Sequence, residues 1–274
     1  GIDEITSELQ GVIFQNPANN AWQTADEYLS GNVRHKLKVA EFSAQGNPAF
    51  TVNVEALRQV QPKDLEAQEI EVRLGTTWID KAYFQQFMWE VLETPPYLRD
   101  KITIDYSAHT AEWHINGKNA VFRSDVAAYN TYGTERANAY KILEDSLNLR
   151  DVRIYDTVED ADGSKKRVFN AKETTLAAQK QQALREAFKD WIWREPERRD
   201  KLVRQYNEEM NCFRPREYDG SHIKFVGMNP EIALREHQIN AIARVIYGGN
   251  TLLAHEGGAG KTFEMVAAAM ESKR

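Results

Sequence analysis

The stretch that most constrains this chain lies near its end: Leu252-Leu253-Ala254-His255-Glu256-Gly257-Gly258-Ala259-Gly260-Lys261-Thr262. It reads as a buried strand, a glycine-rich turn and the start of a helix, with Met265, Ala268 and Ala269 at helical spacing to pack back on the strand. That order suits phosphate binding. Glycines let backbone N–H groups close around phosphate oxygens, and the helix N-terminus adds the positive end of its dipole. Lys261 is placed to reach β/γ-phosphates and the Thr262 hydroxyl to hold Mg²⁺. The candidate nucleotide-binding residues are Gly257, Gly258, Ala259, Gly260, Lys261 and Thr262, with ATP and Mg²⁺ as the implied cofactors; Lys261 and Thr262 are the candidate catalytic pair. One position departs from the usual pattern, which has glycine where this chain has His255. The competing reading is a glycine-rich turn that binds nothing.

A phosphate-loop ATPase also needs a later acidic residue for Mg²⁺ and a group that positions the attacking water. The sequence stops at Arg274, one short helix beyond Lys261, and opens with Gly1 rather than Met. Both features lead us to expect a fragment of a larger protein, inactive as an ATPase by itself.

At 274 residues the chain has room for about two domains. Hydrophobic content of 42%, charged content of 28%, and 6 Trp, 11 Tyr and 11 Phe supply an ordinary globular core. No apolar run approaches the ~18 residues of a membrane span, and the acidic, polar opening is not a secretory signal. Cys212 is the one cysteine, so no intrachain disulfide can form, which fits a reducing cytoplasm. A net charge of −6 argues against a whole-chain basic field for nucleic acid. The local basic runs from Arg34 to Lys38, Lys165 to Arg167 and Arg194 to Arg204 read more readily as solvated faces.

The pattern predicts an α+β chain in four parts: a helical unit at 1–62, an α+β accessory domain at 63–170, a helical brace at 171–222, and the start of an ATPase lobe at 223–274. In the first, Thr24 or Asp26 caps a helix through Tyr28, a second carries Val33, Leu37 and Ala40, and a third carries Val54 and Leu57 after the break at 46–48. In the second, Ile70 to Leu74 alternates as a strand and Ile79 to Leu92 forms an apolar helical stripe ended by Pro95-Pro96. Ile102 to Tyr106 and Glu112 to Ile115 read as paired strands, with Asn116-Gly117 turning into a third at Ala120 to Phe122. Thr134 is expected to cap a helix through Leu147, and 152–155 with 167–169 to flank a charged hairpin tip. Two helices follow from Thr174 and Pro196. The last part is read as a turn at Tyr218-Asp219-Gly220, a strand at Ile223 to Val226, a helix from Asn229 or Pro230, and a strand at Thr251 to Ala254.

Gln238 lies one helix-turn-strand unit before Lys261. Its carboxamide is both donor and acceptor, which suits the edge of adenine. Leu234-Arg235-x-His237-Gln238, then Gly-Gly-Asn-Thr-Leu-Leu-Ala, then His255 to Thr262, resembles the opening of a Swi/Snf-type superfamily-2 helicase core. In that family an Asp stands where this chain has His255. Asn170 with Thr174-Thr175, Phe188 to Trp191, Tyr206-Asn207, Tyr218-Asp219-Gly220-Ser221 and Met270 to Arg274 resemble the large helicase proteins of phages, plasmids and conjugative elements, in which a methylase-like part often precedes the helicase. Trp22 to Arg34 and Leu74-Gly75-x-x-Trp78-Ile79 look similar to the segment joining the two. The resemblance implies the first βα unit of a RecA-like lobe, ATP hydrolysis coupled to translocation on double-stranded DNA, a neighbouring methylase domain, and no membrane. It implies phosphate and Mg²⁺ binding by Lys261 and Thr262, loop shaping by Gly258 and Gly260, and adenine reading by Gln238.

Other signals carry less. Thr94-Pro95-Pro96-Tyr97 is close to the turn of adenine methylases but lacks the leading carboxamide or carboxylate, so it reads as a helix stop. The six histidines show no metal-ligand spacing with Cys212 or with one another. Two function classes remain: part of a DNA-dependent ATPase/translocase, or a non-catalytic DNA- or protein-binding module whose loop is vestigial.

Overall fold

The computed structural model describes residues 6, 8–159, 164–229 and 231–273. It is a mixed α+β protein in two compact units, Gly1–Lys63 with Cys212–Arg274, and Asp64–Asn211. The helices expected as a brace at 171–222 thus belong, up to Asn211, to the second unit. Among the described residues every sheet has two strands, so helices and side-chain packing carry the fold. No helix among them is long and apolar enough to cross a membrane.

In the first unit, β1 (Ile13–Gln15) pairs antiparallel with β2 (Trp22–Thr24), followed by the short α1 (Ala25–Tyr28). Phe14 stacks on Tyr28 at 5.3 Å between ring centroids. Asn32 caps α2 (Val33–Gly46) by accepting from the His35 N–H at 2.9 Å. After a 3₁₀ turn at Pro48–Phe50, α3 (Thr51–Gln59) packs Val54 and Leu57 beside Val33 and Ala40. The chain returns to this unit at Cys212: the Val33 N–H donates to the Cys212 carbonyl, and β3 (Gly31–Asn32) pairs with β8 (Phe213–Arg214). Two further helices, α8 (Glu236–Gly248) and α9 (Lys261–Ser272), join through Ile242, Ala267 and Ala268.

The second unit has the larger core. Asp80 caps α4 (Lys81–Val91), whose apolar stripe buries Phe84, Phe87 and Met88. The hairpin of β4 (Ile104–Ser107) and β5 (Glu112–Ile115) lies beside it. A π-helical turn at Ala127–Thr131 precedes α5 (Ala139–Leu147). The ribbon of β6 (Tyr155–Glu159) and β7 (Lys165–Phe169) follows, with its tip at 160–163 outside the described residues. Asn170 then caps α6 (Ala171–Arg194), and Pro196 opens α7 (Pro196–Glu209). Together α6 and α7 bury Ala177, Leu184, Phe188, Trp191, Ile192 and Leu202 in the same core as α4. Phe188 meets Phe84 at 5.4 Å and Phe87 at 5.1 Å, and Trp191 meets Phe87 at 5.5 Å. Arg198 lies 3.7 Å over the Trp191 ring and donates to the Trp191 and Ile192 carbonyls, closing the turn between α6 and α7.

Several expected elements differ. Ile70, Val72 and Leu74 alternate into the core as the pattern requires, yet 70–74 pairs with no strand among the described residues and is not itself a strand. The turn of the β4–β5 hairpin falls at 108–111. Gly117 has φ +61, but Ala120 to Phe122 does not return as a third strand. Asn116 instead spends its amide on Thr103 and Asp105. Thr134 accepts from the Ala137 N–H at 3.0 Å in a turn, whereas the cap of α5 is Asn138, which accepts from Lys141 at 2.9 Å. Neither Ile223 to Val226 nor Thr251 to Ala254 is a strand, because no neighbour among the described residues offers ladder hydrogen bonds; Leu252 is 85% exposed. The helix expected from Asn229 or Pro230 begins at Glu236, where Gln238 Oε1 accepts from the Arg235 N–H; Pro230 lies outside the described residues. Thr94 is a buried structural hydroxyl, 2.8 Å from the Tyr140 hydroxyl.

Glu144 on α5 is a buried carboxylate held by three groups: the Ile115 N–H at 2.8 Å, Lys118 at 2.6 Å and, more distantly, His114. Burial by itself pushes its carboxyl up. Hydrogen bonds from Lys118 and the Ile115 N–H, with the charges of Lys118 and Lys141, more than reverse this and hold it below the ordinary carboxylate range. A lowered folded value means that this stabilisation is present above the unfolded pKa and is lost as pH falls through the folded one. In acid titrations of unfolding, Glu144→Gln should therefore shrink the difference between neutral and acidic stability. Phe188→Ala should cost about 3–5 kcal/mol in denaturant unfolding, while Phe42→Ala, at a 77% exposed position, should change it by no more than ~0.5 kcal/mol.

Candidate functional site

The site is built from α8, α9 and the loop between them. Gly258 and Gly260 have φ of +86 and +90, a region glycine enters at little cost. They turn the chain so that it enters α9 with Gly260 as the N-terminal cap residue. The N–H groups of Gly257, Gly258, Gly260, Lys261 and Thr262 take no acceptor among the described residues; only Ala259 is satisfied locally, by the Glu256 carbonyl at 3.3 Å. Unpaired donors clustered at a helix start form a concavity suited to an anion. Gly257, Gly258 and Thr262 are exposed at its surface.

Lys261 folds back over the loop and donates to the His255 carbonyl at 2.7 Å and the Glu256 carbonyl at 3.0 Å. Both acceptors are neutral, so the ammonium has no counter-charge in these contacts and keeps one N–H to offer. Unpaired backbone donors beside an uncompensated cation are the donor set a polyphosphate requires, and by that test the residues fit the ATP–Mg²⁺ group that the motif implies.

Gln238 is 7% exposed and uses both ends of its carboxamide. Oε1 accepts from the Arg235 N–H at 2.9 Å, and Nε2 donates to the Ala259 carbonyl at 2.9 Å. It therefore bridges the start of α8 to the loop, with one hydrogen-bonding capacity left on each atom. His237 Nε2 lies 3.2 Å from the same Ala259 carbonyl. The structure thus brings Gln238 to the same loop as Gly257 to Thr262.

Sequence reasoning missed Glu264. It is fully buried beneath the loop, with Oε1 3.0 Å from His255 Nδ1 and no partner on Oε2 among the described residues. The His237 ring meets the His255 ring edge-on at 5.5 Å. The available signal was register: Glu264 shares the helical face of Ala267 and Ala268, where a carboxylate is out of place without a partner.

Residues 216–222 also lie along α8. The Tyr218 ring has Arg216 at 4.9 Å and Arg244 at 5.8 Å. A side chain at Gly248 would meet the Tyr218 hydroxyl at 2.6 Å, and one at Gly220 would meet the Ile239 carbonyl oxygen at 2.4 Å. The Gly220 N–H donates to Asn240 Oδ1 at 3.0 Å. Asp219 accepts from the Ser221 N–H and hydroxyl, which holds its carboxyl below the usual range. Among the described residues no group of three or more His, Cys, Asp or Glu side chains is arranged to hold a metal ion.

Fold and site together define a mixed α+β protein in which one unit carries a glycine-rich turn with unpaired N–H groups at a helix start. Residues 73–212 match the model of a family described as a domain of unknown function, DUF8437. The chain belongs to that family. The match coincides closely with the second unit and stops short of the loop. No curated protein matches the chain, and no solved structure does.

Two glycine substitutions separate geometry from composition. A Cβ at Gly260 would stand 2.1 Å from Gln238 Nε2, at a φ that side chains avoid, whereas one at Gly257 meets nothing within 4 Å. Gly260→Ala should break the bridge from Gln238 to Ala259, cost roughly 1–3 kcal/mol, and raise amide exchange in the first turn of α9. Gly257→Ala should leave both unfolding and exchange close to the parent chain.

Proposed function

We propose that the chain is part of a DNA-dependent ATPase/translocase, with residues 255–262 as its nucleotide-binding loop. The observation that carries the reading is the set of unpaired N–H groups of Gly257, Gly258, Gly260, Lys261 and Thr262 at the start of α9, with the Lys261 ammonium beside it. In this reading the nest and Lys261 hold the phosphates, and Thr262 offers its hydroxyl to Mg²⁺. When bound, the Mg²⁺–nucleotide group supplies a phosphoanhydride for hydrolysis and a cation that offsets its charge. The residues of this chain bind and orient it. Gln238 sets the loop through Ala259, and its remaining donor and acceptor serve the adenine edge.

The finer fold belongs to the same reading. Residues 223–274 are the opening of a RecA-like lobe whose strand at 251–254 acquires a ladder only beside further strands of that lobe. The helicase-like motifs of the Swi/Snf type, a mobile-element origin, a neighbouring methylase domain, double-stranded DNA as the track, and a cytoplasmic setting all follow from the resemblance in the sequence.

A second reading has its own support. His255 occupies the place of a loop glycine and engages buried Glu264, and Lys261 is turned onto carbonyls. A loop stiffened in this way suits a binding module that no longer uses nucleotide. Titration with a fluorescent ATP analogue and Mg²⁺ separates the two. The motor reading expects saturable binding that Lys261→Ala weakens by about 10- to 100-fold, the scale of a charge-assisted contact. Equal behaviour of parent and variant, both folded by circular dichroism, would move the assignment to the binding module.

A further inference from the structure

We propose that the outer edge of β7 is a docking site for an extended acidic segment of a partner protein, which adds to the β6–β7 ribbon as a third strand. The register of the ribbon shows which backbone groups are available. The Asn170 N–H donates to the Ile154 carbonyl at 2.9 Å, and that pair continues the register of Tyr155↔Phe169 and Asp156↔Val168. Hydrogen-bonded pairs alternate along an antiparallel ladder. The ladder bonds therefore fall at 156/168 and 158/166, and residues 155, 157, 159, 165, 167 and 169 turn their N–H and C=O groups outward.

The two edges differ. On β6, Arg136 occupies the Tyr155 end of the outer side, donating to the Tyr155 carbonyl at 3.0 Å and to Asp156 at 2.8 Å, and the acidic side chains of Asp156 and Glu159 make this edge a poor match for an acidic strand. On β7, the backbone groups of Lys165, Arg167 and Phe169 have no partner among the described residues, and all five residues of the strand are exposed. An open edge of this kind is a template for strand addition.

Charge selects the occupant. Lys165 and Arg167 project on one face and Lys166 on the other, and none of the three has a carboxylate within ion-pairing distance among the described residues. Arg167 lies 4.7 Å over the Tyr155 ring, which meets Phe169 at 5.8 Å, so the basic face continues into an apolar one. A second copy of β7 would set cations opposite cations, which disfavours self-pairing. Nucleic acid is disfavoured by Asp156 and Glu159 on β6 and by Asp160 and Asp162 in the connecting sequence. An acidic strand fits, and the inner edge of β7 already pairs with one, Glu159 standing opposite Lys165. Neither the loop at 255–262 nor its nucleotide enters this argument.

The probe is a short labelled peptide alternating glutamate with valine, titrated into the full chain by fluorescence anisotropy, with amide exchange read in parallel. A peptide with lysine in place of glutamate is the control. Binding of the glutamate peptide should protect the amides of Lys165, Arg167 and Phe169. Arg167→Pro removes an outward N–H and leaves the ladder intact, as proline does on edge strands. It should weaken binding about fivefold or more, the value of a backbone hydrogen bond. Lys165→Glu combined with Lys166→Glu should reverse the preference toward the lysine peptide, and this pair keeps the test decisive if proline unsettles the ribbon. No binding of the glutamate peptide, binding that leaves those three amides unprotected, or protection of them by a DNA duplex in its place would each overturn the proposal.

Discussion

The packing of Phe188 against Phe84 and Phe87 is the contact on which the second unit most depends. It joins α4 to α6, helices separated by most of the unit's sequence, and Trp191 extends the cluster by one helical turn. The β4–β5 hairpin enters through Trp113, 5.1 Å from Phe84. Two-stranded ribbons are marginal alone, so the β4–β5 hairpin owes its place to the helices it lies against. This is why Ile70 to Leu74 can bury every second side chain without being a strand: the aromatic core accepts the side chains, and no ladder is needed to hold them.

The first unit solves a different problem, with a much smaller core near the loop. There Ile242, Ala267 and Ala268 are the buried apolar contacts between α8 and α9, and polar bridges add to them. Gln238 and His237 both reach the Ala259 carbonyl, and His255 reaches buried Glu264. The loop is thereby fixed by side chains at its flanks, while its N–H groups other than that of Ala259 stay open. A nest of that form needs glycine at 258 and 260 for backbone reasons, and at 260 also because Gln238 fills the space a side chain would take.

Most helices were legible in the sequence, because helical periodicity and its caps are local. The apolar stripe of α4, Pro196 opening α7 and the Pro95-Pro96 stop all act within a few residues. The glycine loop and Lys261 were legible for the same reason. What misled was anything that required a partner. Asn116-Gly117 has the residues of a tight hairpin turn, and the chain does turn there, yet no strand returns. Thr134 does form a capping-type hydrogen bond, but Asn138 sits closer to the helix and takes the cap.

The sequence by itself determined that most of these helices exist and that a glycine-rich turn enters α9, since propensity, capping and φ preference are properties of neighbouring residues. Only the tertiary structure decided that α6 and α7 complete the core of 64–211, that Glu264 lies buried under the loop against His255, that Gln238 is spent on Ala259, and that the edge of β7 stays open. Each of these depends on which distant segment arrives to supply a surface, a proton or a ladder, and a single sequence read along its length does not carry that distance.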